Sequence, residues 1–140
     1  MEAAVVIARV KLDGVDTDVP VYWHDPSGRT IGSLPDSRDL WEVLWENREN
    51  LVGVAHTHPG DSVRPSDTDF TTFAAVEAGL GKRLVWWIAS RSRLSLTDWD
   101  PRHGGYGTIT PTSNVGGIDW DYGWLPRLRE ISGMEEVQNG

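Results

Sequence analysis

The stretch LVGVAHTHPGDSVRPSDTD (residues 51–69) runs from an apolar segment into a polar one. Its first five residues, 51–55, are all apolar or glycine, which predicts a short buried strand. That strand leads directly into the sequence HTHPG at residues 56–60, where a loop begins. Ser66 ends the loop, and a serine at such a position typically caps a helix by accepting a free backbone N–H. The stretch therefore predicts a strand, a loop and a helix, with polar side chains at both junctions.

Two histidines and one aspartate in this stretch have the spacing of a metal site. Residues i and i+2 of an extended strand point to the same face, so His56 and His58 can direct both imidazoles at one point. Asp69 lies in the first turn of the predicted helix, and the intervening loop can fold it back. Two imidazoles and one carboxylate suit Zn²⁺ and leave a fourth tetrahedral position for water, as in catalytic zinc sites. Ser66 would lie at the mouth of this site, where its hydroxyl can stabilise an oxyanion.

The combined register H-x-H-x7-S-x2-D resembles the signature of the JAMM family of zinc metalloproteases, also called MPN+ or Mov34/JAB-type, in its prokaryotic form. Taken singly, each part is ordinary, because an H-x-H pair is common by chance, and Ser66 and Asp69 are typical helix-capping residues. The joint spacing is what indicates the family. The resemblance is close over residues 52–69 and looser over residues 51–89.

The resemblance implies a single JAMM/MPN-like domain over residues 1–140. Its fold would be of the α/β (α+β) class, with one central mixed β-sheet flanked by helices, related to the cytidine-deaminase fold. The resemblance further implies that His56, His58 and Asp69 bind Zn²⁺ and that Ser66 stabilises the oxyanion. The implied reaction is hydrolysis of a peptide or isopeptide bond by a water molecule that the zinc ion activates.

The family also uses an upstream glutamate that accepts a proton from this water and passes it to the leaving amine. Glu2 opens the apolar run EAAVVI and lies at a suitable distance before His56, so it is the favoured candidate. Glu49, in a turn before the metal-bearing strand, is an alternative. Glu42 and Glu46, on the polar side of a predicted helix, are further alternatives.

Hydrophobic periodicity predicts further elements around one sheet. The predicted strands cover residues 3–10, 19–23, 84–89 and 93–99, and the predicted helices cover residues 36–47, 67–78 and 125–131. In the helix over 36–47, Leu40, Trp41, Leu44 and Trp45 recur on one face, which predicts that they face the core.

Glycine and proline dominate residues 101–118, so we expect an irregular segment there. Whether residues 103–117 close over the site as a lid is left open by the sequence. The last residues of the chain are expected to fray.

Composition limits the class of protein. The chain has 140 residues, which suit one compact domain, and eight Trp, of which Trp86 and Trp87 should point to opposite faces of a strand. Its 13 Lys and Arg against 21 Asp and Glu give a charge of −8, which argues against binding nucleic acid or an anionic membrane. The lack of Cys leaves only His, Asp and Glu as metal ligands. The N-terminal residues form neither a signal peptide nor a membrane span, so the expected location is cytoplasmic.

Four other titratable residues receive weaker assignments. His24 is expected in a surface turn, and Glu77, late on a helix, is expected to be solvated. His103 lies in the glycine-rich loop, with a contact to ligand or substrate as its alternative role. Asp61, between the histidines and Ser66, is a candidate hydrogen-bond partner for a ligand imidazole.

The expected function is that of a zinc-dependent metallopeptidase or isopeptidase. The resemblance suggests a polypeptide substrate such as the C-terminal tail of a ubiquitin-like protein or sulfur carrier. The alternative is a non-catalytic MPN-type scaffold or interaction module, in which the ligand residues are typically lost. A zinc deaminase is excluded because its H-x-E and P-C-x-x-C motifs are missing, and a zincin because there is no H-E-x-x-H. The oligomeric state and the identity of the substrate stay open.

Overall fold

A computed structural model describes residues 2–25, 38–110 and 122–134. In these ranges, one six-stranded sheet has the strand order β2-β1-β3-β4-β5-β6. The elements are β1 (Ala4–Leu12), β2 (Val15–His24), α1 (Arg38–Glu46), β3 (Leu51–Thr57), α2 (Asp67–Leu80), β4 (Val85–Ala89), β5 (Leu94–Asp100), β6 (Gly105–Ile109) and α3 (Leu125–Ile131). Only β3 and β4 pair in parallel, and the other neighbours are antiparallel. The predicted α+β fold with a central mixed sheet is confirmed.

A two-residue turn joins β1 to β2. Asp13 has a φ of 51° and Gly14 a φ of 78°, the positive values that a tight hairpin turn of type I′ requires. Pairing begins immediately after the turn, with Leu12 opposite Val15. The second strand therefore starts four residues earlier than the predicted range 19–23.

Close approach of β3 to β4 depends on Gly53. A Cβ added to this glycine would lie 1.8 Å from the carbonyl oxygen of Val85 on the neighbouring strand. Helix α2 makes the crossover between these parallel strands, as a parallel pair requires. Gly53 therefore allows β3, which carries His56, to lie directly against β4.

Hydrophobic residues cover both faces of the sheet. On one face, α1 and α2 pack over a cluster that includes Val54, Phe73 and Trp86. On the other face, α3 packs over a cluster that includes Trp87 and Leu128. Trp86 and Trp87 therefore lie on opposite faces, as predicted, and both are buried.

Helix α1 buries a narrower stripe than its periodicity predicts. Leu40 and Leu44 are buried, but Trp41 is 37% exposed and Trp45 is 46% exposed. The Trp45 ring lies beneath the guanidinium of Arg48, 4.1 Å from the ring centroid. The prediction that both tryptophans are buried in the core was wrong: Trp45 stacks under Arg48, and Trp41 lies against Gly79 of α2 while partly exposed.

The irregular segment expected over residues 101–118 contains a regular strand. Residues 105–109 form β6, which pairs antiparallel with β5. Tyr106 stands between two glycines, and its ring packs edge-to-face on Trp99 with centroids 5.4 Å apart. Strand pairing and this aromatic contact outweigh the weak strand propensity of glycine. Residues 111–117, in the segment for which a lid role was left open, lie outside the described residues.

The remaining helices differ little from their predictions. Helix α2 continues through Gly79 and ends at Gly81, whose left-handed φ of 69° is typical of a helix C-terminus. Helix α3 has the predicted bounds. The predicted start of the first helix, residues 36 and 37, and the chain end after residue 134 lie outside the described ranges. Among the described residues, no helix is long and apolar enough to cross a membrane.

Candidate metal centre

The carboxyl end of β3 is held by hydrogen bonds from both neighbouring strands. The Thr57 N–H donates to the carbonyl oxygen of Ala3 at 3.0 Å, and the Ala3 N–H donates to Thr57 Oγ1 at 2.9 Å. On the other side, the His58 N–H donates to the Ala89 carbonyl oxygen at 3.0 Å. The backbone around both histidines is therefore fixed by the sheet.

Three side chains converge at this strand end: His56, His58 and Asp69. One ligand atom from each lies within 4.8 Å of the others. His58 Nε2 is 3.0 Å from Asp69 Oδ2, and His56 Nε2 is 3.4 Å from Asp69 Oδ1. Ligand atoms about 2.0 Å from one tetrahedral ion would be about 3.3 Å apart. Both separations between Asp69 and the histidines lie near this value, so the donor set fits a divalent metal ion.

His56 Nε2 is buried and makes no hydrogen bond of normal geometry, although Asp69 Oδ1 lies 3.4 Å away. The whole residue is 6% exposed, and its ring packs edge-to-face on Phe73 with centroids 6.3 Å apart. A buried nitrogen without a hydrogen bond costs roughly 1–3 kcal/mol. Coordination of a metal would satisfy this atom, which supports the fit of the donor set.

The start of α2 holds Asp69 in place. The Ser66 N–H donates to Asp69 Oδ2 at 2.9 Å, and the Asp69 N–H donates to Ser66 Oγ at 3.0 Å. This reciprocal pair is a capping box, with Asp at the position that Glu or Gln usually takes. Ser66 is thus the predicted N-cap, and the cap orients the carboxylate toward the histidines.

Electrostatics keep the Asp69 carboxyl ionised. Burial favours its neutral form, but interactions with His56 and His58 and the Ser66 N–H outweigh burial and hold the pKa of Asp69 well below its ordinary value. The hydrogen bond to Asp69 raises the pKa of His58 despite partial burial. The site therefore contains an ionised carboxylate, which is the form that binds a cation.

A backbone carbonyl orients His58. Its Nδ1 lies 3.2 Å from the carbonyl oxygen of Ser62, which leaves Nε2 to face Asp69. The sequence suggested Asp61 for this role, and that assignment was wrong. Asp61 is exposed and instead lies 3.5 Å from the Ser92 hydroxyl. A carbonyl partner leaves no signal in the sequence, because every residue has one.

A cavity of about 530 Å³ opens at the candidate metal centre. We call it the site cavity. At one end it is lined by polar groups that include Glu2, His56, His58, Ser66 and Asp69. Mostly apolar side chains from α1, α2 and the sheet line the rest of it, together with Thr68 and Thr72 of α2.

Among the described residues that line the site cavity, Glu2 is the only one of the four candidate glutamates. Its negative charge also contributes to the raised pKa of His58. Glu49 lines a separate cavity next to β1, Glu42 is 3.2 Å from Arg38, and Glu46 is exposed on α1. The favoured glutamate is therefore brought to the histidines, whereas the three alternatives are not.

Two histidines outside the candidate centre occupy different environments. The His103 side chain is 79% exposed and lies 3.6 Å from Asp100 in the turn before β6, away from the site cavity. His24 is buried, contrary to the expectation of a surface turn. Strand β2 continues to His24, which pairs with Ala4 inside the sheet.

A buried carboxylate on α2, Glu77, is the main feature that the sequence analysis missed. It is 3% exposed and accepts hydrogen bonds from the Leu84 N–H at 3.0 Å, the Trp86 indole at 2.9 Å and Arg83 at 2.9 Å. The Tyr106 hydroxyl also donates to it. The expectation that Glu77 is solvated was wrong, because these partners lie on β4, β6 and the turn before β4, and helix periodicity does not reveal them.

Comparisons with known proteins place this geometry in a family. The model of the prokaryotic homologues of the JAB domain matches residues 2–101, which include every residue of the candidate centre. A curated relative, the polyketide synthase-like protein Preu9 of Preussia isomera, is 36% identical over 76 residues, or 54% of this chain. The matched segment spans 4% of that much longer protein. The chain belongs to the family of prokaryotic homologues of the JAB domain.

Proposed function

We propose that the protein is a metal-dependent hydrolase of peptide or isopeptide bonds, with Zn²⁺ bound by His56, His58 and Asp69. The observation that carries the proposal is the convergence of these ligands at one end of a cavity that Glu2 and Ser66 also line. Membership of the JAB family supports the same conclusion. Zn²⁺ is proposed as the metal because two imidazoles and one carboxylate suit it.

When bound, the ion would supply Lewis acidity toward the carbonyl oxygen and would lower the pKa of an attacking water. The carboxylate of Glu2 would take the proton from that water and deliver it to the leaving amine. A glutamate at the polar end of the cavity suits this task, because a general base must lie within hydrogen-bond reach of the proton that it moves.

Ser66 would stabilise the negative charge that develops on the substrate carbonyl oxygen. Its Oγ accepts the Asp69 N–H through a lone pair, so the hydroxyl proton is available to donate. The capping box fixes the position of this donor, and fixed donors are the most effective ones at a developing oxyanion. The proposed substrate is a polypeptide, for which the C-terminal tail of a ubiquitin-like protein or sulfur carrier is one candidate.

Metal content and turnover test the proposal together. The purified protein should contain about one Zn²⁺ per chain by elemental analysis, and a chelator should abolish cleavage of fluorescence-quenched peptides and ubiquitin-like fusions. His56→Ala should lose the metal, whereas His103→Ala should keep it, because His103 is exposed and does not line the site cavity. Glu2→Gln should keep the metal and lose nearly all turnover.

Other outcomes of these measurements would contradict the proposal. A protein that binds Zn²⁺ no better than the His56→Ala variant would remove the metal centre. Stoichiometric metal without turnover of any substrate in the panel would favour the scaffold alternative. Full activity of Glu2→Gln would remove Glu2 from the reaction.

A further inference from the structure

The site cavity has two chemically different ends. Its polar end holds the candidate metal ligands, and its apolar end is lined by Leu40 and Leu44 of α1, Phe73 and Val76 of α2, and Trp86 of β4. The two ends are continuous, so a molecule held at the metal ligands would extend a neighbouring group into the apolar end. The whole site cavity has a volume of about 530 Å³, which lies in the range of cavities that bind small organic molecules.

Charge is confined to the polar end. Among the described lining residues, the ionisable groups are Glu2 and Asp69 and the two histidines between them in sequence, whereas the apolar end presents hydrocarbon and aromatic surface. A charged group would lose its hydration there without gaining an oppositely charged partner. An apolar group would gain free energy from leaving water.

A glycine on α2 shapes the rim of this end. The Trp41 indole lies across Gly79, and a Cβ added to Gly79 would come within 2.8 Å of Trp41 Cη2. Glycine is unfavourable inside a helix, yet here it leaves room for the ring. Trp41 lines the site cavity while remaining partly exposed, so one wall of the apolar end is an aromatic surface at its entrance.

We infer that the apolar end is a specificity pocket for a bulky apolar side chain, of leucine or phenylalanine size, next to the scissile bond. This inference rests on the proposed function. It adds a substrate class, because a peptide with such a residue would fill the pocket, whereas a glycine at the same position would leave apolar walls in contact with water.

Two hydroxamates test the pocket on the zinc-loaded protein by titration calorimetry. Acetohydroxamate chelates the metal but is too short to enter the apolar end. The hydroxamate of 3-phenylpropanoate chelates the metal in the same way and carries a phenyl group that can enter the apolar end. We expect the phenyl compound to bind about tenfold to a hundredfold more tightly, as burial of one large apolar group predicts. Val76→Trp, which fills the cavity from α2, should remove this difference by weakening the phenyl compound far more than acetohydroxamate.

Trp41 and Trp45 provide a matched pair on one helix. Trp41→Ala should lower the ratio of the two affinities several-fold, because Trp41 lines the cavity, and Trp45→Ala should leave the ratio unchanged, because Trp45 does not. Peptide turnover should show the same dependence on Trp41. In Trp41→Ala, kcat/KM should fall more for a substrate with Phe beside the scissile bond than for the same substrate with Gly at that position.

The outcomes separate this inference from the function on which it rests. If the protein holds zinc and binds acetohydroxamate, but both hydroxamates bind equally well, the pocket is overturned and the metal centre stands. Equal affinities of the two hydroxamates would also result if another part of the chain filled the apolar end, and in that case too the pocket is overturned. If the protein holds no zinc, the proposed function and the pocket are both overturned.

Discussion

The Glu77 carboxylate accepts a 2.9 Å hydrogen bond from the indole N–H of Trp86, across the contact between α2 and β4. The Trp86 ring stacks on Phe73, with centroids 4.3 Å apart and an angle of 16° between the planes. Phe73 in turn packs edge-to-face on His56. A continuous series of contacts therefore joins the buried carboxylate to a candidate metal ligand.

Replacement of Glu77 should strongly destabilise the protein. Glu77→Ala would leave the Leu84 N–H and the Trp86 indole N–H without an acceptor and Arg83 without its partner. We expect the free energy of unfolding to fall by about 3–5 kcal/mol, as measured by urea denaturation. Glu46→Ala, at an exposed position on α1, is the control and should stay within about 0.5 kcal/mol of the parent. An equal effect of the two substitutions would contradict the structural role of Glu77.

The Tyr106–Glu77 hydrogen bond should make stability depend on alkaline pH. Partial burial, together with the bond to Glu77, raises the pKa of Tyr106 to about 12, from about 10 in an unfolded chain. Because the folded-state pKa is the higher one, the stabilisation is complete below about pH 10 and disappears as the pH rises through about 12. Urea denaturation of the parent and Tyr106→Phe across pH 8–12 should show two stabilities that converge at the alkaline end. A constant difference would refute the linkage.

Substitutions at Ser66 should separate its role in the helix cap from its proposed role in catalysis. Ser66→Ala removes both, and we expect a loss of about 1 kcal/mol in stability and a fall in kcat of about a hundredfold or more. Ser66→Asp keeps a good cap but has no hydroxyl proton, so stability should recover while kcat stays low. Ser66→Thr keeps both functions and serves as the control. If Ser66→Asp restored turnover, the hydroxyl would not be the oxyanion donor.

A side chain at Gly53 should push β3 away from β4. The Cβ of Gly53→Ala would meet the Val85 carbonyl oxygen, which is rigid backbone. We expect a loss of about 3 kcal/mol or more in the free energy of unfolding, and weaker zinc binding because β3 carries His56. Gly107→Ala on β6 is the matched control, since its added Cβ meets no atom within 4 Å. Similar stability of the two variants would show that the strands can separate at little cost.

The candidate centre was predictable because its residues are close in sequence and each follows a local rule. His56 and His58 alternate on a strand, and Ser66 and Asp69 begin the next helix. Proximity in the chain reduces the number of arrangements that the connecting loop allows, so spacing alone was informative. Glu2 is distant in sequence and was found only through the resemblance to the family, yet the pairing of β1 with β3 brings it to the same cavity.

The features that sequence reasoning missed depend on distant partners. Glu77 is a charged residue near the end of a helix and looks solvated until Tyr106 and Trp86 are placed around it. Strand β6 consists largely of glycine and polar residues, and its pairing with β5 supplies what local propensity lacks. His24 is buried at the end of β2, opposite Ala4, whereas the turn residues that follow it in the sequence suggested exposure.

Asp69 belongs at once to the first turn of α2 and to the group of candidate ligands. Since hydrogen bonds to the backbone already fix this carboxylate, an arriving ion would meet ligands that need little rearrangement. The conformational entropy of the Asp69 side chain is lost when the helix folds, and not when the ion binds. The protein would then stay folded both with and without the ion, and uptake and release would need no unfolding. A stripped sample should regain its metal within the time of mixing, with its circular dichroism spectrum unchanged.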